Sequence, residues 1–171
     1  MTPPRPPASD ADLLERLDQT FVQLHRQHEQ LELALEPWQG EKGRRAFHAA
    51  YESDDPAARN RAELVHANFE RHHQLTRDII EVAGKLAERR ERLPKPATGE
   101  DRIHVLLQEG LITRADEALL RQHTIVRNES QHAYVQTAAS QVYEAAERQI
   151  NDGRTLVGRL AAFVETLRAA A

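Results

Sequence analysis

An all-α, up-and-down bundle of about four to six helices is the fold class that three features of this chain predict. Ala, Leu, Glu, Gln and Arg are abundant, aromatic residues make up 5% and β-branched ones are few, a balance that favours helix over strand. Apolar residues recur at steps of three and four over long stretches. Pro, Gly, Ser and Asp cluster between those stretches, where helices start and stop. A length of 171 residues suits one domain with its own core, read here as 10–171 behind a disordered, Pro-rich lead at 1–9.

Ser9 or Asp10 caps a first helix over about 10–36, whose stripe Leu14, Leu17, Phe21, Leu24, His28, Leu31, Leu35 marks a packing seam. His28 sits in that seam as a core or interface histidine. Pro37-Trp38-Gln39-Gly40 stops the helix, and a shorter one follows over about 41–52 with Phe47 and Tyr51 inward. Asp55-Pro56 then opens a long helix over about 56–92 with the stripe Ala62, Val65, Phe69, His72, Thr76, Ile79, Ala83, Leu86. Gly84 weakens it locally. Residues 93–99 form a linker, a short helix covers about 101–109, and Gly110 ends it with Leu111 and Ile112 turning inward. Thr113 to Asp116 starts a helix over about 114–127 with Leu119, Leu120, Ile125 and Val126 on its buried side. A last pattern, about 137–168, is carried by Val142, Ala146, Ile150, Val157, Leu160, Phe163 and Leu167, with Gly153 as a kink or a split.

Composition removes several function classes. A net charge of −4 argues against a broad, non-specific grip on nucleic acid. The twenty Arg against three Lys suit phosphate recognition, although a GC-rich coding sequence gives the same excess. Cysteine is absent, which removes disulfides and cysteine catalysis and fits a reducing, cytoplasmic setting. No apolar run is long enough to span a bilayer, and the first residues do not read as a signal peptide. There is no P-loop, G-x-G-x-x-G or nucleophile elbow, so no cofactor is expected.

Nine histidines raise the question of metal. Glu63/His66, Glu70/His73 and Glu129/His132 each read Glu-x2-His, and His25, His28 and Glu29 lie close in sequence. Such pairs share a helix face and can aim at one ion. Two of the three sit on one helix, however, and no metal site is assigned.

The stretch that concentrates chemistry is Arg127-Asn128-Glu129-Ser130-Gln131-His132-Ala133-Tyr134. It joins a permanent cation, an imidazole that titrates near neutrality and a phenol, the groups that phosphodiester cleavage uses. Arg-x(4–6)-His spacing alone carries nothing. Three such pairs, Arg59/His66, Arg61/His66 and Arg127/His132, are about what chance supplies. The fuller Arg-Asn-x3-His-x-Tyr is far rarer. On a continuous helix, residues five apart point about 140° apart. Convergence of Arg127 and His132 on one phosphate therefore requires the helix to break near Asn128. In that geometry Arg127 holds the phosphate and His132 moves the proton of a ribose 2′-OH or of the leaving 5′-oxygen, with no metal needed.

Ile103-His-Val-Leu-Leu-Gln-Glu-Gly110-Leu-Ile112, then a helix, then Arg127-Asn128-x3-His132-x-Tyr134, resembles the C-terminal half of HEPN domains over about 101–145. The resemblance implies a HEPN-like helical bundle and a metal-independent endoribonuclease acting on RNA as a homodimer. The His-x-Tyr ending is similar to toxins silenced by a minimal nucleotidyltransferase antitoxin that adds AMP to the tyrosine. Carried over residue by residue, Arg127 and His132 are catalytic, Asn128 supports them and Tyr134 is the modification site. The segment 37–57 is additional to a minimal member, and Val135-Gln136-Thr137 stands where an acidic residue is expected. The residues leave open a non-catalytic interaction module of the same fold and a metal-binding bundle.

Overall fold

Residues 8–96, 98–131 and 139–169 are described by a computed structural model, so most of the Pro-rich lead lies outside the described residues. Seven α-helices account for nearly all of them: α1 (Asp10–Leu35), α2 (Gly40–Tyr51), α3 (Pro56–Arg89), α4 (Gly99–Gln108), α5 (Arg114–Gln131), α6 (Ala139–Asn151) and α7 (Gly153–Ala169). A 3-10 turn, Glu36–Trp38, joins α1 to α2. Among the described residues there is no strand, and no helix is long and apolar enough to cross a membrane. The all-α class is as expected; the seventh helix arises because the last pattern splits at Asp152, ahead of Gly153.

Local chemistry sets the boundaries. Ser9 and Asp12 form a capping box on α1, with the Asp12 N–H donating to Ser9 Oγ at 3.1 Å and the Ser9 N–H to Asp12 Oδ2 at 2.7 Å. Asp55 caps α3 by accepting from the Ala57 N–H at 3.1 Å, with Pro56 in the first turn. Gly110 closes α4 at φ +69°, a backbone conformation that favours glycine, and the Leu111 N–H returns to the Leu106 carbonyl at 2.9 Å.

α1 and α3 pair antiparallel along their whole length. Asp10 meets Arg90 at one end (2.9 Å), and Gln27 meets Asn68 further along (2.6 Å). The stripe expected on α3 is buried at every one of its eight positions. α7 lies antiparallel on α1, with Arg168 on Asp18 (2.6 Å) and Arg154 on Glu32 (2.8 Å). α2 and α6 close the other end around Phe47, whose ring packs on Tyr143 while the Tyr143 hydroxyl donates to the Trp38 carbonyl at 2.9 Å. Phe47 and Ala50 of the segment 37–57 are thereby buried in the core. Ile125, expected inward, is 56% exposed: it falls on the outer side of α5, where the 3.6-residue period places it opposite His123.

The core is divided in two. One apolar cluster holds the first half of α1, the second half of α3, α4, the start of α5 and α7; the other holds the end of α1, α2, the first half of α3, Val126 and α6. The boundary is where polar side chains interrupt the stripes, as described below.

Gly84 has a packing role that its helix-weakening character conceals. A Cβ there would lie 2.5 Å from Cδ of Arg102, a buried arginine that docks α4 on α3. Its guanidinium donates to the Glu81 carbonyl at 2.8 Å and pairs with Glu88 at 2.8 Å. Gly84→Ala improves helix propensity by up to about 1 kcal/mol, yet displacing a buried, paired arginine costs about 1–3 kcal/mol. The variant is expected to lower Tm by a few degrees in a thermal melt; an unchanged or raised Tm would show that Arg102 moves aside freely.

Candidate functional site

α5 carries the front of the octapeptide. It starts with a capping box in which the Asp116 N–H donates to Thr113 Oγ1 at 3.2 Å and the Thr113 N–H donates to Asp116 Oδ2 at 2.7 Å. The same buried carboxylate accepts from Arg159 of α7 at 2.8 Å, so one side chain both caps α5 and seats it on α7. α5 then continues to Gln131. Arg127 and Asn128 thus lie within the helix, and the break expected near Asn128 is not there. Asn and Ser favour breaks only weakly, and Val126, 3% exposed in the second cluster, holds this end of the helix to the core.

His132 and Tyr134 lie outside the described residues, as do the side chains of Arg127 and Asn128. The backbone register of α5 sets Arg127 one turn beyond His123 and Asn128 one turn beyond Thr124. Val126 and Ala139, on the helices flanking 132–138, are buried in the same apolar cluster.

His123 belongs to a buried polar layer that runs across the bundle between the two apolar clusters. His28 stands between Leu24 and Leu31 on α1, His72 and His73 between Phe69 and Leu75 on α3, His123 between Leu120 and Val126 on α5, and Gln149 after Ala146 on α6. His28 Nδ1 and His72 Nε2 share a hydrogen bond of 3.1 Å. The His123 ring meets the edges of Phe69 and His73 at 4.9 and 5.6 Å between centroids. His28 opens on a cavity of about 320 Å³ between α1, α3 and α7, where its Nε2 faces Glu32 at 3.5 Å. His28 and His72 were visible in the sequence stripes. His73 was singled out only in the Glu70/His73 pair and His123 not at all, although the inward spacing of 116, 119, 120, 123 and 126 along α5 carried the signal for His123.

The histidine and carboxylate residues suggested by sequence take several different partners, and Glu129/His132 falls outside the described residues and side chains. His66 meets the Tyr51 hydroxyl at 2.9 Å and Glu70 at 3.4 Å, not Glu63. Arg59 donates to the Ser53 carbonyl at 2.9 Å, away from His66. His25 pairs with Glu29 at 3.4 Å on the surface while His28 turns inward. Among the described residues no three His, Asp or Glu side chains converge as a metal site.

Burial is the main cause that holds His28, His72 and His123 below the ordinary histidine range, to about 3 for His72 and His123. The neighbouring charges act on top of it: Glu32 raises and Arg154 lowers His28, His28 and His73 lower His72, and His73, His72 and Arg148 lower His123. Each ring is neutral when folded and binds a proton more readily when unfolded. Their stability contribution is complete above the unfolded value of about 6.5 and is lost as pH falls toward the folded values. Unfolding free energy from urea titration is expected to fall between about pH 6.5 and pH 4 by roughly 1 kcal/mol per pH unit for each of His72 and His123. His123→Leu should flatten that slope; the same slope in the variant would exclude His123 as a source of it.

A family model described as Ribonuclease HepT-like matches residues 61–160. The match covers more than half of the 171 residues, from the second turn of α3 into α7, and it includes the whole of Arg127–Tyr134. No curated protein and no solved structure matches the chain. An all-helical bundle with this motif at the end of α5, together with a family match over most of its length, places the chain in the HepT-like ribonuclease family of HEPN type.

Proposed function

We propose that the chain is a metal-independent endoribonuclease that works as a homodimer, and that it is the toxin of a toxin–antitoxin pair in the cytoplasm. The observation that carries the reading is the ribonuclease family match over the stretch that holds Arg127-Asn128-x3-His132-x-Tyr134. Because α5 runs on through Asn128 to Gln131, the Arg127 of one copy is taken to work with the His132 of the other: Arg127 binds the scissile phosphate through its planar fork and offsets the charge that builds on it in the transition state. His132 accepts the 2′-OH proton as the 2′-oxygen attacks phosphorus. The P–O5′ bond breaks, the 5′-oxygen takes a proton, and a 2′,3′-cyclic phosphate and a 5′-hydroxyl remain. A second copy of the motif across the dimer supplies the second proton-transfer group, and Asn128 supports the pair as a polar neighbour.

Purified protein incubated with single-stranded RNA in EDTA should cleave it. His132→Ala is expected to lower the rate by about 10²–10⁴-fold and Arg127→Ala by about 10²–10³-fold. Equal activity in all three proteins would overturn the reading and leave a non-catalytic helical module of the same fold.

Tyr134 is proposed as the site that a small nucleotidyltransferase antitoxin modifies with AMP. Incubation with such an enzyme and ATP is expected to add the mass of one AMP to the wild type and to silence its cleavage. Tyr134→Phe should gain nothing. Addition to the Phe variant would move the site elsewhere.

A further inference from the structure

Between α3, α4 and α5 a groove runs alongside the face of α5 that leads to Asn128. Arg77 and Ile103 line both of its compartments; the one at Arg121 and Thr124 is only about 10 Å³, and the larger has a volume of about 170 Å³. That is smaller than the roughly 300 Å³ at which small-molecule pockets begin, and it is open at the side, a shape suited to a strand laid across it. Arg121 and Thr124 of α5 complete the end nearest the motif.

The arginine is held in place. Arg77 donates to Thr124 Oγ1 at 3.2 Å, and that hydroxyl is itself fixed by donating to the Leu120 carbonyl at 2.9 Å. Thr124 accepts from one of the five N–H donors of the guanidinium. Arg121 lies one turn earlier on α5 and is half-exposed, steadied by Glu117 at 2.8 Å. The carboxylates at the far end have partners of their own: Asp78 accepts from Gln74 at 2.9 Å and Glu81 pairs with Lys85 at 2.8 Å. Toward α5 the groove presents Arg77 and Arg121; its far end carries the carboxylates of Asp78 and Glu81, of which Lys85 offsets Glu81, with Ile80 and Ile103 as an apolar floor.

We infer that this groove is a phosphate-binding track for single-stranded RNA, in which Arg77 and Arg121 hold backbone phosphates next to the one that is cut. The inference rests on the ribonuclease reading and adds to it how an acidic chain grips its substrate. Positions 121 and 127 are six residues apart on one helix, about 9 Å along its axis and about 120° around it, so a strand that reaches both spans a few stacked nucleotides and curves around α5. With a net charge of −4 the chain has no general attraction for RNA, so a preorganised pair of arginines beside the motif supplies it locally. Arg77 and Arg121 are positioning residues: they act on strand placement and not on the reacting atoms.

The test is fluorescence anisotropy of a labelled single-stranded RNA over a series of NaCl concentrations, with every protein carrying His132→Ala so that the RNA stays intact. Arg77→Gln and Arg121→Gln are each expected to weaken binding about 5–10-fold and to reduce the slope of log K against log salt by about 0.7. Arg154→Gln, which removes a cation of the α1–α7 face, should change neither. In the cleavage-competent chain Arg77→Gln should raise KM for long RNA at unchanged kcat and leave cleavage of a dinucleotide as it was. Unchanged affinity and slope in both groove variants, or an equal loss in Arg154→Gln, overturns the track even if the wild type cleaves RNA. Salt-sensitive binding through the groove by a wild type that does not cleave upholds the track and removes the catalytic reading. Absence of any RNA binding removes both.

Discussion

The hydrogen bond between His28 and His72, and the polar layer it belongs to, organise the rest of the bundle. Imidazoles cannot be left among Leu and Val without a cost of order 1–3 kcal/mol for each unmet polar group. The register in which α1 meets α3 is therefore set where their histidines meet: a one-turn slip would leave His28 and His72 facing apolar side chains. Apolar stripes by themselves are tolerant of such slips, because one leucine fits much as another does. A directional bond in the middle of the seam is not. The layer also explains why the core divides, since every helix that crosses it places a polar residue at the same height: His28, His72 and His73, His123 and Gln149.

The layer reaches the candidate site through α5. Below it, Leu119 and Leu120 belong to one apolar cluster; above it, Val126 belongs to the other, and Arg127 and Asn128 follow directly. α5 is consequently fixed at three heights: Asp116 on Arg159, His123 against Phe69 and His73, and Val126 in the second cluster. This is the kind of rigid support that a site needing a cation at a defined position requires. It also accounts for the length of the helix, which continues through residues that its local sequence would have let go.

How much of this was legible in the sequence can be seen residue by residue. The stripe on α3 was legible at all eight positions because burial on one side of a helix imposes a period that the sequence must carry. The starts at Ser9, Asp55 and Thr113 were legible because a cap needs only residues within three or four positions of one another. The end of α5 was not, because it depends on Val126 meeting α6. Ile125 was misplaced inward for the opposite reason: an apolar residue next to a stripe is indistinguishable from one in it until the neighbours are known. The motif at 127–134 was legible as a pattern, whereas the geometry of its side chains lies beyond anything a spacing can state.

The sequence by itself determined the helical class, the capped starts, the inward stripes and a motif that the family match includes. These are short-range properties, written within one or two turns of chain. The tertiary structure alone decided that His28 faces His72 across 44 residues, that Arg102 fills the space Gly84 leaves, and that Arg77 reaches Thr124 across 47. Those are choices among many polar and small residues that local chemistry permits equally. Only packing the helices together selects one partner from the rest.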